Sequence, residues 1–289
     1  MKKTLIILLV IIGLTACTEK MRIDTQEGAR LVGVSASITD EYKHHEVILS
    51  YTEDFYGGAP EMISNAIVYV VDGTDTIWFE ESENPGYYLS VNEFAGQEEH
   101  QYHLSIDFSD EDGYHHFYSD SKMNINITQI DSMKIKPWVF NSLEMKEYLG
   151  IYPYFQTTDD PKTYYMARIR RNDELIGGDT LTKCELFETY GYAGIYFNGP
   201  LMVAIGGEFP IYGLHQTDSL EVLHHGDTVT LDLWSIPGEY AHYIYEIASS
   251  TGTNPMMGTP SNVRTNICPE GTAVGMFHAS SLRQYSVIY

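Results

Sequence analysis

Apolar and polar residues alternate with a period of two through most of the chain, the signature of half-buried β-strands. Leu31 to Ile38 alternates apolar with small residues, and His45 to Tyr51 follows after a polar turn at Asp40-Glu41. Ala66 to Val71 is a continuous apolar run, Asp72-Gly73 is a hairpin signal, and Thr76 to Phe79 returns. The same texture continues in Gly86 to Leu89, in Gln101 to Phe108, and across Asp110 to Gly113 into Tyr114 to Ser119. Short strands punctuated by Asp-Gly turns predict an antiparallel β-sandwich over residues 29–125.

Residues 126–289 predict a second β-rich domain. Ile127 to Ile135 reads as a crossing strand, and Tyr152 to Gln156 and Tyr164 to Arg170 as a pair joined by the Asp159-Asp160-Pro161 turn. Thr228 to Trp234 is a further strand. One segment follows the 3.6-residue period instead. Gly238 to Ser250 sets Tyr240, Tyr243, Ile244 and Ile247 against Glu239, His242, Glu246 and Ser250, an amphipathic helix stopped by Gly252 and Asn254-Pro255.

The first residues change the address of the protein. Met1-Lys2-Lys3 is basic, Thr4 to Gly13 is apolar, and the run is shorter than the about 20 residues a membrane-spanning helix needs. It ends in Leu14-Thr15-Ala16-Cys17, which resembles the lipobox of bacterial lipoproteins. Residues 1–16 are therefore expected to be a signal peptide, Cys17 the site of acylation, and residues 17–28 a lipidated flexible tether. Thr18 follows the cysteine where an aspartate would resemble an inner-membrane retention signal, so the outer membrane is the expected location.

Removing residues 1–16 takes away Lys2 and Lys3 and leaves 15 basic against 40 acidic side chains, a formal charge of −25. Such a chain repels phosphate backbones, so nucleic acid is excluded as a partner and membrane attachment rests on the lipid. Cys184 and Cys268 remain after Cys17. In an oxidising envelope they are a candidate disulfide, worth about 4–5 kcal/mol on the chain-entropy model; two separately buried thiols are the other reading.

Several blocks, in order, resemble one family. They are His45 to Tyr51 with Asp54-Phe55, Asn65 to Asp72, Gly86-Tyr87-Tyr88 and Tyr102 to Ile106, then Tyr243 to Ala248, Asn254-Pro255, Thr259 to Ile267, Gly271 to Phe277 and Tyr285 to Ile288. The family is the Bacteroidetes-type outer-membrane lipoproteins of domain of unknown function 4249, whose genes tend to accompany TonB-dependent receptors. The resemblance implies an immunoglobulin-like or carboxypeptidase-regulatory-like first domain and an accessory role beside such a receptor, with no catalytic residues. The chain departs from the family at Cys268-Pro269, where a glycine pair is usual, so the turn there need not follow the family's.

Candidate chemistry is sparse. His44-His45, His115-His116 and His224-His225, with His100 and His103, could hold a metal or haem only if separate pairs converged. Asp110 to Gly113 lacks the ligands of a calcium loop and reads as a hairpin tip, and Glu239 with His242 reads as a solvent face. No nucleophile elbow, zinc-protease, phosphate-loop or dinucleotide motif occurs. No cofactor, metal or catalytic residue is assigned. The Gly- and aromatic-rich stretch from Tyr190 to Tyr212 offers Tyr190, Tyr192, Tyr196, Phe197, Phe209 and Tyr212 as a partner-contact surface. The leading expectation is a lipid-anchored accessory or binding protein at the outer membrane, associated with a TonB-dependent transporter in nutrient capture. The alternatives are an envelope hydrolase or metal- or haem-binding protein, and a surface adhesin or scaffold.

Overall fold

The computed structural model describes residues 30–53, 58–141, 146–176, 181, 183–207, 222–251 and 263–289. Its strands in chain order are β1 Val32–Thr39, β2 Glu46–Tyr51, β3 Ile67–Asp72, β4 Asp75–Glu81, β5 Tyr87–Ser90, β6 Gln101–Asp110 and β7 Gly113–Lys122. There follow β8 Ser132–Asn141, β9 Lys146–Gln156, β10 Tyr164–Arg171, β11 Glu174–Leu175, β12 Glu185–Glu188, β13 Tyr196–Asn198, β14 Val203–Gly207, β15 Val222–Leu223 and β16 Thr228–Ile236. Helix α1, Gly238–Thr251, precedes the last strand, β17 Ala273–Ile288. The protein is thus mostly β.

The strand path β7-β6-β3-β4-β5-β2-β1-β17-β16-β10-β11 links both halves. In the first half the alternation seen in the sequence puts Val68, Val70, Leu104, Ile106, Leu49 and Phe117 into one apolar core. The turns fall where Asp and Gly allow them: Asp72 faces Asp75 across Gly73, whose φ of 62° suits glycine, and Asp110 faces Gly113 at the tip of β6 and β7.

β17 belongs to both halves. Ala273 to Ser280 pairs in parallel with Val32 to Thr39 of β1, and Ser281 to Ile288 pairs antiparallel with Ser235 to Thr228 of β16. Its Ala273, Phe277 and Ala279 fill the first core, while Tyr285 and Val287 pack on the second, built from Leu149, Ile151, Phe155, Leu231 and Leu233. Helix α1 closes a third cluster, with Tyr240, Ala241 and Ile244 against Met166, Ile236 and Met276. This is the apolar face expected from its period.

Two local expectations need correction. β9 and β10 do not pair with each other: β9 lies between β8 on one side and β13 and β14 on the other, and β10 lies between β16 and the short β11 and β12. The Asp159-Asp160-Pro161 turn is a crossover between sheets, with Lys162 N donating to the Asp160 side chain at 2.9 Å. The strand expected at Ile127 to Ile135 begins only at Ser132. Upstream of it the backbone is pinned, because the buried Asn126 donates from Nδ2 to Ser281 O at 2.8 Å and accepts from Ile127 N at 2.8 Å.

Candidate functional site

The loop from Thr189 to Ile195 stands beside the edge strand β13 and is held by a ring of threonines. Thr189 N donates to Thr163 O at 3.0 Å, and its Oγ1 donates to Asp160 O at 2.7 Å. Thr157, buried at the end of β9, receives Ile195 N on its Oγ1 at 3.0 Å and places the same oxygen 2.6 Å from Tyr192 O. Its backbone N donates to Ile195 O, and Gly194 N donates to Thr158 O at 2.8 Å. Gly191, Gly194 and Gly199 take φ of 82°, 68° and 66°, and a Cβ on Gly199 would stand 2.4 Å from the Tyr154 ring.

On this frame Tyr190, Tyr192 and Tyr196 are 76%, 53% and 45% exposed, with Ile195 between them also exposed. The tyrosines are presented by ordered backbone, which lowers the entropy lost on binding. Phe197 does something else: it packs inward on Phe155 at 5.0 Å and on Phe187 at 6.0 Å, anchoring the loop to the second core. Tyr196 donates its hydroxyl to Asp131 at 2.9 Å, a bond that raises the phenol's pKa. Phe209, Tyr212 and Cys17 lie outside the described residues.

Tyr190 also lines a cleft of about 790 Å³ between the halves, where Gln101 and Asp120 face Asp160, Tyr164 and Glu188. A neighbouring cleft of about 530 Å³ continues past Lys122 and Asp160 to Gln156 and Thr157. Carboxylates outnumber cations along the first cleft, and the Glu188 carboxylate accepts from the Tyr164 hydroxyl and raises its pKa. The arrangement offers rings for stacking and oxygens for accepting hydrogen bonds.

A sequence profile, that of a domain of unknown function (DUF4249), matches residues 18–286. The chain belongs to that family. No curated protein sequence matches it.

In this DUF4249 protein the two cysteines are not bonded. Both are free thiols, which corrects the candidate disulfide. Cys184 packs with the α1 cluster and donates from Sγ to Leu181 O at 3.4 Å, whereas Cys268 exchanges backbone hydrogen bonds with Tyr118 on the edge of β7. Sheet pairing holds each in a different half of the molecule. Burial pushes the Cys184 thiol up to about 11, so it stays protonated at neutral pH.

The histidines are dispersed. His45 is buried between Thr39 N and Phe94 O, His115 bonds Asp110, His116 bonds Asp107, and His225 stacks on Tyr289 at 4.7 Å. Among the described residues no three His, Cys, Asp or Glu side chains gather where they could hold a metal ion. Composition exposed the tyrosines of the loop. The threonines that hold them gave no signal, because their partners are main-chain groups distant in sequence.

Proposed function

We propose that this protein is a lipid-anchored accessory protein of the outer membrane, attached through Cys17, which docks on a TonB-dependent transporter and assists nutrient capture. One observation carries the binding role: exposed tyrosines stand on a hydrogen-bonded loop at the mouth of an acidic, ring-lined cleft. The basic, apolar and Leu-Thr-Ala-Cys sequence of the first 17 residues supports the anchor, and a spanning helix is not needed for it. Acyl attachment keeps the loop at high effective concentration near any envelope partner.

The test is crosslinking in intact cells followed by purification of the outer membrane. The wild-type chain is expected to recover a transporter, a Tyr190→Ala, Tyr192→Ala, Tyr196→Ala variant to recover much less, and Cys17→Ser to leave the membrane fraction. Recovery of no receptor by the wild-type chain rejects the docking, and membrane retention of Cys17→Ser rejects the anchor.

A further inference from the structure

On the outer face of the first half, strand register sets four residues in one row across β4, β3, β6 and β7: Trp78 opposite Tyr69, Tyr69 opposite Ser105, Ser105 opposite Tyr118. Trp78 is 52% and Tyr118 39% exposed, and Trp78 lies 5.1 Å from Tyr69. With strands about 4.8 Å apart, Tyr69 and Tyr118 stand about 10 Å from each other, two strand spacings. Between them Ser105 is buried and its hydroxyl has no hydrogen-bond partner among the described residues, an unmet group at the middle of the row.

The flanks are polar and already ordered. The rings of His103 and His116 lie 5.9 and 5.8 Å from that of Tyr118, each inclined to it by 29°. His103 bonds Asp120 at 3.0 Å, and Asp107 accepts from His116 at 2.8 Å and from the Tyr114 hydroxyl. Asp120 at the end of the face also lines the cleft below Tyr190.

We infer that this face binds a neutral glycan chain. Flat rings spaced along a line present apolar surfaces to the C–H faces of successive pyranoses, and fixed carboxylates and imidazoles beside them match vicinal hydroxyls. An anionic polymer is disfavoured by a formal charge of −23 and by a face whose one cation among the described residues of β3, β4, β6 and β7, Lys122, is already paired with Glu99. A basic peptide is less well served, because Asp107 and Asp120 are each engaged by an imidazole. The site is separate from the tyrosine loop and does not require the anchor or the transporter.

Native electrophoresis of the full chain through gels containing a β-glucan, a xylan, a mannan or dextran tests this, with polylysine as the charged control. Retardation is expected in at least one neutral gel, unchanged at high salt, and weaker by about tenfold for each ring lost in Trp78→Ala and Tyr118→Ala. Both side chains are solvent-exposed, and circular dichroism checks that the variants fold. The Tyr190, Tyr192, Tyr196 variant should bind as wild type. Retardation in none of the four gels, retardation equal in the ring variants, or binding to polylysine alone that salt abolishes would each overturn the assignment.

Discussion

Arg283 and Asp40 meet at 2.8 Å across 243 residues of chain, next to the point where β17 exchanges β1 for β16. The same guanidinium donates to Glu98 at 2.7 Å and to the carbonyls of Ile127 and Thr128, and Asp40 also receives Leu282 N at 2.7 Å. One side chain therefore ties the end of β1, the loop before β6 and the segment leading to β8. Arg283→Met keeps the apolar stem and removes the charge. Because the pair is partly solvated, the expected loss is about 1–3 kcal/mol in urea unfolding, with faster amide exchange at residues 124–131. A change below about 0.5 kcal/mol would mean that β-pairing alone holds the junction.

Gly275 is the position of β17 least able to accept a side chain. Its φ is 102°, and a Cβ there would sit 1.9 Å from Val34 O in the parallel partner strand. Gly275→Ala must break or shift the β1 to β17 pairing, so a loss of at least about 3 kcal/mol is expected. Gly226 offers the control. Its φ is 97°, yet among the described residues nothing lies within 4 Å of its added Cβ, so Gly226→Ala should cost only the backbone strain, about 1–2 kcal/mol. Equal losses at the two sites would show that the close approach at Val34 is relieved by easy movement.

The strands of the first half were legible because each buries one face and ends at a turn residue, as Val68 and Val70 do before Asp72-Gly73. The helix was legible for the matching reason at its own period. What stayed hidden is pairing between distant segments. Nothing in Ala273 to Ile288 announces one strand that changes partners half-way, and nothing in Tyr152 to Gln156 or Tyr164 to Arg170 says that each already has two other neighbours. The tyrosines of the loop were visible as composition. The row of Trp78, Tyr69 and Tyr118 could have been found by projecting the alternation of β3, β4 and β7 outward, but its register needed the structure.

Acid should weaken the fold before ordinary carboxylates titrate. His45 is buried, Thr39 N approaches its Nδ1 at 3.4 Å, and its Nε2 lies 3.0 Å from Phe94 O, an arrangement that suits the neutral Nε2–H ring. Burial lowers its pKa to about 4, and burial lowers His278, stacked 3.7 Å from Tyr240, to about 3. An unfolded histidine takes a proton near 6.5 while the folded one resists it. The stability they contribute is whole above about 6.5 and falls as pH drops toward 4, by about 3 kcal/mol for His45. Urea midpoints measured from neutral pH down to the acid range check this. His45→Gln should flatten the decline, and an unchanged slope would assign it to other groups.

The free thiols make a simple case. Purified without reductant, the chain should show slow reaction of Cys184 with a thiol reagent while folded, since burial holds it protonated. Once the chain is unfolded in denaturant, Cys184 and Cys268 should both titrate. Absence of titratable thiol in the unfolded, unreduced chain would show that the two pair after all.

Thr157 decides whether the tyrosine loop is a rigid or a loose binding element. Its Oγ1 receives Ile195 N and can give its single proton to Tyr192 O at 2.6 Å or to Ile195 O at 2.8 Å. Thr157→Val keeps the shape and leaves these main-chain groups without that partner in a buried setting, an expected loss of about 1–3 kcal/mol. The loss should be local first, with amide exchange rising at residues 189–196 before global unfolding. Thr157→Ser retains the hydroxyl and should restore protection. If the loop is preorganised for a partner, Thr157→Val also lowers crosslinking to the proposed transporter although every tyrosine remains. Full crosslinking alongside fast exchange would mean that the loop orders itself only on contact.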